Sequence, residues 1–258
     1  MYKRQVKNQY QEIIDAFNAS QTKYHVVCES QGSQAEMNAK ISSTDQSELP
    51  AMFHGAVENV AMYANEDYCV PLQEFIDLEK KGTWKELDDT WKAIRTAYQD
   101  KDGKQIGYPQ GYSYPVIYYN KDMFAKAGID ASKDLKSFED LYTVSKKLVD
   151  GGYTTYGIGF HPDGFYFNAA LGREGIMYYD NDNGYKGTIE KCLYTSDSTV
   201  NNAVKTMLGV YQKLHAENLC IAYGSNYQKE IIPQLADGAC AMMMAVVSVT
   251  CLLYTSPS

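Results

Sequence analysis

Tyr108, Tyr112, Tyr114, Tyr118 and Tyr119 crowd into one stretch of the chain, interrupted by Gly107, Pro109, Gly111 and Pro115. A phenol offers a flat apolar face and a hydroxyl tip, so tyrosines on a strand edge can stack against something flat and hydroxylated. That is recognition chemistry, with no bond made or broken. A Tyr-rich core strand is the competing reading for any one of the five, whereas the cluster as a whole points to a binding surface. The chain holds 23 tyrosines in 258 residues, so heavy use of Tyr throughout is the bland account of the excess.

Groups suited to covalent or metal chemistry are scattered. His25, His54, His161 and His215 share no ligand spacing, and no HExxH, phosphate-loop or nucleophile-elbow string occurs. Asp180 to Gly184 (DNDNG) opens like a calcium loop. Its Gly comes one position early and no Glu stands at the twelfth position, so a hairpin turn is expected. Asp88-Asp89 lies on a stretch explained by helix packing. Cys28, Cys69, Cys192, Cys220 and Cys240 are an odd set without CxxC spacing, which reads as buried thiols and not as a disulfide framework or zinc site. No catalytic residue, metal or cofactor is expected. A formal charge of −8 and a pI near 5.1 exclude a nucleic-acid partner, since phosphate contacts need clustered Lys and Arg. The lysines between Lys121 and Lys147 alternate with acids and read as a solvated helix face.

Strands alternating with helices must position the tyrosines. Tyr10, Ile13, Ile14 and Phe17 predict a first amphipathic helix; His25 to Cys28 and Ala51 to His54 predict strands; Ser33 is placed to cap a helix through Ile41. A helix is expected near Asn59 to Ala64. Trp84, Leu87, Trp91, Ile94 and Tyr98 make one helical stripe facing the core, and Asp102-Gly103 turns into a strand around Ile106. Val116 to Tyr118 has strand character, after which Asn120 caps a short helix with Met123 and Phe124 inward and Gly128 as its stop. Ser137 with Asp140 predicts a capping box opening a helix to Val149, and Tyr156 to Phe160 a strand. Ser198 is expected to cap a long helix with Ala203, Val204, Met207, Leu208, Tyr211 and Leu214 on one face. Pro233 is expected near the start of a last helix. The apolar run from Ala239 to Tyr254 contains Ser and Thr and falls short of the roughly 20 residues of a membrane span.

The run YYNKDMFAKAGID, residues 118–130, resembles the signature of the extracellular solute-binding proteins of ABC sugar importers, the maltose-binding-protein-like branch of the type 2 periplasmic binding fold. Leu49 to His54 is similar to that family's (L/G)PD(V/I) strand, with Ala51 in place of Asp. Val70-Pro71-Leu72, Tyr156-Gly157-Ile158 and Ala236-Asp237-Gly238 before Ala241-Met242 follow in family order. The resemblance implies an α/β, two-lobed type 2 periplasmic-binding-protein-like fold truncated at both ends. Residues 6–110 would form the N-terminal lobe, 111–114 a hinge with Gly111 and Pro115 absorbing rotation, and 115–250 the C-terminal lobe, both lobes incomplete. It also implies a non-enzymatic extracytoplasmic receptor that closes over a carbohydrate and docks on ABC permease subunits, lipid-anchored at the cell surface or free in a periplasm. Receptors for another solute, such as a peptide or polyamine, and carbohydrate-active enzymes remain as alternatives. Four loops match the family's ligand contacts by position, and each is also readable as a mere turn or cap: Gly32 and Ser33; His54, Glu58 and Asn59; Tyr112, Ser113 and Tyr114; and Asp163, Phe165 and Tyr166. Tyr112 and Tyr166 are expected to matter for binding and little for stability.

Tyr2 to Gln5 can be encoded by TATAAGAGACAG, whose reverse complement, read one base out of frame, gives Cys251 to Tyr254. Residues 1–5 and 251–258 are therefore expected to be translated sequencing-adapter ends on an internal gene fragment. A signal sequence is then not expected to be visible.

Overall fold

The computed structural model describes residues 2–80, 82–224 and 227–250. The expected adapter segment 251–258, with Cys251, lies outside these residues. The chain forms two compact units, Met1–Tyr108 and Pro109–Ser258.

The first unit is made of helices and extended segments: α1 (Tyr2–Ser20), α2 (Gln34–Ser43), α3 (Val60–Tyr63), α4 (Leu72–Leu78), α5 (Lys85–Asp88) and α6 (Lys92–Ala97). The strands expected at His25 to Cys28 and Ala51 to His54 are not formed among the described residues, and that expected at Ile106 shrinks to a bridge between Gln99 and Gln105. A strand needs a neighbour to take its ladder bonds. Here the Asn18 amide takes both backbone groups of Val26, donating to its carbonyl at 2.9 Å and accepting from its N–H at 2.8 Å. The expected turn at Asp102-Gly103 forms, with Asp100 Oδ1 accepting from the N–H groups of Asp102 and Lys104. Two apolar stripes are only partly used. On α1, Ile13 and Phe17 stay exposed, and the stripe from Trp84 to Tyr98 breaks into α5 and α6 with Trp91 74% exposed. The core of this unit is Val60, Tyr63 and Ile106, packed by Phe53, Val57 and Tyr98.

The second unit is a four-stranded sheet in the order β1-β4-β2-β3, from β1 (Pro115–Tyr119), β2 (Tyr156–Phe160), β3 (Cys220–Ala222) and β4 (Cys240–Val246). β2 runs parallel to both β3 and β4, while β1 is antiparallel to β4. The first part of the apolar run expected to fall short of a membrane span forms this central strand β4, and among the described residues no helix is long and apolar enough to cross a membrane. The connecting helices are α7 (Lys121–Lys126), α8 (Ala131–Asp134), α9 (Asp140–Asp150), α10 (Gly164–Arg173), the single turn α11 (Asp180–Asn183), α12 (Ser198–Ala216) and α13 (Tyr227–Ala236). Alternation along β4 sends Met242 and Met244 into a core with Leu148, Ile158 and Leu214, and Met243 and Ala245 into a second one with Ile231 and Ile232. The sheet is thus covered on both faces, as parallel strands require.

Local signals fare well in this unit, with specific exceptions. Asn120 caps α7, its Oδ1 accepting from the N–H groups of Asp122 and Met123 at 3.1 Å. Asp197, not Ser198, caps α12, because its carboxylate reaches the first turn, with Oδ1 at 2.9–3.0 Å from the N–H groups of Thr199 and Val200. Leu208 on the same helix is exposed while Val200 and Val210 are buried, so the inward stripe is rotated from the expected one. Pro233 stands inside α13 and not at its start, the burial of Ile231 and Ile232 outweighing the lost N–H. The 180–184 segment is a left-handed turn: Asn181, Asp182 and Asn183 have φ near +50° and Gly184 has φ +90°. It is closed by a bridge between Tyr179 and Cys192. Cys28 and Cys192 are exposed, contrary to the expectation of buried thiols, and all five described cysteines are free.

The capping box before α9 is reciprocal. Ser137 Oγ accepts from the Asp140 N–H at 3.3 Å, and Asp140 Oδ2 accepts from the N–H groups of Ser137 and Lys136 at 2.7 and 2.8 Å. Those amides, Ser137's first, hold the Asp140 carboxyl below its ordinary value. A pKa depressed on folding gives stability that is complete above the unfolded-chain value, about 3.9 for Asp, and is lost as pH falls through the lower folded value. Ser137→Ala is expected to cost about 1 kcal/mol in urea unfolding at neutral pH. An unchanged midpoint would mean that the box is idle.

Candidate functional site

In an α/β sheet, the loops leaving the carboxyl ends of the strands make the natural binding edge, because they are freed from the ladder at one common end. β2, β3 and β4 end on that edge, and β1, being antiparallel, begins there with Pro115 opposite Val246. Tyr112, Ser113 and Tyr114 enter it, and the Tyr114 carbonyl accepts from the N–H of Val247, just past β4, at 3.0 Å. The rings of Tyr112 and Tyr114 lie 5.5 Å apart and are 54% and 43% exposed. Ser113 is exposed beside them. Along the same edge, His161 follows β2. Its Nδ1 is 2.9 Å from the carbonyl of Tyr223, which follows β3, and its Nε2 is 3.3 Å from Asp163 Oδ2.

Asp163 does two things: besides facing His161 it caps α10, Oδ1 accepting from the Tyr166 N–H at 3.2 Å. Phe165, in the first turn, is 46% exposed and available to a ligand. Tyr166 is not. It is 3% exposed and belongs to the core with Leu148 and Val210, because the first turn of α10 points one side chain out and the next one in. The expectation that Tyr166 touches ligand and is dispensable for stability is corrected accordingly. Tyr211, which the sequence pattern assigns only to packing, stands near this edge: burial, then the Asp163 carboxylate, push its phenol up to about 12.

In the first unit Asn59 lies against Tyr63, which the sequence pattern does not single out. The Tyr63 hydroxyl donates to Asn38 Oδ1 at 2.7 Å, tying α3 to α2. The ring lies so close to Gly55 that a Cβ there would stand 2.6 Å from it. Burial pushes the Tyr63 phenol up, against the hydrogen bond from Asn59. His54 is exposed with its ring 6.2 Å from that of Tyr10, and Glu58 is exposed on the turn before α3. Gly32 has φ +80°, a conformation that favours glycine, and leads into Ser33, the cap of α2. Ser33 Oγ accepts from the Glu36 N–H at 3.2 Å and donates to Glu36 Oε2 at 2.7 Å. Glu36 was missed although Ser33-Gln34-Ala35-Glu36 spells a capping box.

Two open hollows lie elsewhere. One of about 330 Å³, bordered by Tyr119, Asn120 and Leu235, sits at the opposite end of the sheet. One of about 260 Å³ sits near Ile41 and Tyr68, at the far end of α2. Among the described residues, no three His, Cys, Asp or Glu side chains form a group able to hold a metal.

Known proteins resemble this chain at both the sequence and the fold level. Relatives include the sn-glycerol-3-phosphate-binding periplasmic protein UgpB of Brucella abortus (strain 2308), 33% identical over 149 residues covering 57% of this chain and 34% of the relative. The UgpB of Rhizobium meliloti (strain 1021) is 30% identical over 150 residues, covering 57% and 34%. The chain thus spans about a third of the length of these relatives. Among solved structures, the sugar-binding protein MalE of Xanthomonas citri has a TM-score of 0.70 at 16% identity, covering 96% of this chain and 59% of that one. UgpB of Mycobacterium tuberculosis, solved with glycerophosphocholine, has a TM-score of 0.67 at 17% identity, covering 98% and 62%. At such identities the likeness establishes the fold, that of the two-lobed periplasmic binding proteins. The family pattern of the bacterial extracellular solute-binding proteins runs through residues 12–248, and the chain belongs to that family.

Proposed function

We propose that the protein is the extracytoplasmic receptor that captures a sugar or oligosaccharide for import by an ABC transporter. The observation that carries this reading is the gathering of Tyr112, Tyr114, His161, Asp163 and Phe165 at one end of the second unit's sheet, with exposed rings beside hydrogen-bonding groups. Aromatic faces suit the apolar faces of sugar rings, and amides, hydroxyls and carboxylates suit their hydroxyls. In the first unit, Asn38 and Asn59 supply amides, both held by hydrogen bonds to the buried Tyr63 hydroxyl. Binding would shift a hinge equilibrium about residues 111–114 toward a closed form that permease subunits recognise, the receptor leaving its ligand unchanged. The place of action would be a cell surface, with a lipid anchor, or a periplasm.

Calorimetric titration of the intact protein with neutral oligosaccharides tests the assignment. Tyr112→Ala is expected to weaken binding about tenfold, the value of one stacked ring, with stability changed by less than about 0.5 kcal/mol. Undiminished affinity would remove Tyr112 from the site. Turnover of the same oligosaccharides, abolished by Asp163→Asn, would make the protein an enzyme instead.

A further inference from the structure

One hydroxyl on β1 reaches the end of β4 and the turn beyond it. The Tyr118 ring packs against the second core, the one that holds Met243 and Ala245. Val249, 1% exposed, belongs to that same core, so the chain past Val246 folds back over the face on which the Tyr118 ring lies. The Tyr118 hydroxyl is 3.2 Å from the Val246 carbonyl, 3.0 Å from the Val247 carbonyl and 2.7 Å from the Thr250 hydroxyl. A phenol carries one hydrogen, and a carbonyl has none to give. All three contacts are served when Tyr118 donates toward the two carbonyls and accepts the hydrogen of Thr250.

Val247 is thereby held on both sides. Its carbonyl accepts from the Tyr118 hydroxyl and from the Thr250 N–H, the latter at 3.1 Å. Its N–H donates to the Tyr114 carbonyl at 3.0 Å. That bond lies one step beyond the last pair of the β1–β4 ladder, where Pro115 stands opposite Val246 and has no N–H to contribute. The Tyr114 ring in turn lies 5.5 Å from that of Tyr112. A hydroxyl beneath the sheet end is thus connected, through one residue, to the exposed ring pair above it.

We infer that Tyr118 is a positioning residue for solute binding: through Val247 it fixes the backbone that presents the Tyr112 and Tyr114 rings. The inference rests on the receptor reading above. Rings whose backbone is already fixed have less freedom to lose when a solute stacks on them, so the hydroxyl contributes to affinity without touching the solute.

Tyr118→Phe removes the hydroxyl and keeps the ring that packs on the second core. In the intact protein, amide hydrogen exchange at Val247 is expected to rise about tenfold, with the amides of β2 unchanged. Calorimetry with maltotriose, mannitol and glycerol 3-phosphate then reads the function. The compound that the unaltered protein binds most tightly is expected to bind Tyr118→Phe about fivefold more weakly, the value of one hydrogen bond. In a Tyr112→Ala background the same change should cost less than about twofold, because one of the positioned rings is gone. In a Phe165→Ala background, where the lost ring belongs to α10, it should still cost about fivefold. A residue serving only stability would lower affinity equally in both backgrounds. Unchanged exchange at Val247, undiminished affinity, or equal losses in the two backgrounds overturns the role of Tyr118 and leaves the receptor reading standing. Turnover of maltotriose in place of binding overturns the receptor reading and the inference with it.

Discussion

Tyr166→Ala is expected to lower the stability of the protein by about 3–5 kcal/mol, the range for truncating a large buried aromatic. The residue is 3% exposed, and its neighbours in the core, Leu148, Ile158 and Leu214, are themselves buried on all sides. Removing the ring leaves a cavity that α10 cannot refill, since the Tyr166 N–H is tied to Asp163 and Leu171, one and a half turns on, is also fully buried. Tyr112→Ala deletes the same atoms from a ring 54% exposed and leaves no cavity. The two substitutions therefore part company in urea: a large fall in midpoint for Tyr166→Ala, almost none for Tyr112→Ala. In a titration corrected for the folded fraction they part the other way, Tyr112→Ala losing affinity and Tyr166→Ala keeping most of it. A loss below about 1 kcal/mol for Tyr166→Ala would mean that the ring is not packed as described.

This contrast also marks what the sequence could convey. Features held within a few residues were legible. The Asn120 cap, the Ser137–Asp140 box, the strand from Tyr156 and the helix near Asn59 to Ala64 all depend on local hydrogen bonds or periodicity, and all are found. Burial depends on what lies across space. The start of α10 illustrates the difficulty, because Phe165 and Tyr166 are adjacent aromatics in its first turn and nothing local says which points inward. Trp91 shows the same from the other side: its stripe had the right spacing for a core face, yet the chain turns at Asp89 to Trp91 and leaves it in solvent. The strands expected at His25 to Cys28 and Ala51 to His54 had strand-forming residues but no backbone neighbour in this unit, and Asn18 substitutes for one at Val26. Residue type and loop position named Tyr112, Tyr114 and Phe165, which the fold leaves exposed. They did not single out Tyr63, which contacts Asn38 and Gly55, distant along the chain.

Gly157→Ala should produce the other large effect, and the reason is the path of one helix. α9 crosses β2 so closely that a methyl group at Gly157 would overlap both Cβ and Cα of Ser145. Overlap with a side-chain tip can be relieved by a rotamer change, but overlap with a Cα requires the helix to withdraw. α9 carries Leu141, Val144 and Leu148 into the core against Ile158, so its withdrawal opens contacts on the most deeply buried face of the unit. The expected loss is about 3 kcal/mol. Gly164→Ala provides the matched comparison: it adds the same methyl group at the first position of α10, where a Cβ meets nothing within 4 Å. It should be neutral or stabilise by up to about 1 kcal/mol, by restricting the unfolded chain. Ser145→Gly removes the Cβ overlap and leaves the Cα overlap, so combined with Gly157→Ala it should restore only part of the loss. Equal stabilities for Gly157→Ala and Gly164→Ala in urea unfolding would show that α9 does not lie against β2 at this distance, and with it would go the packing that holds the His161 to Phe165 edge in place.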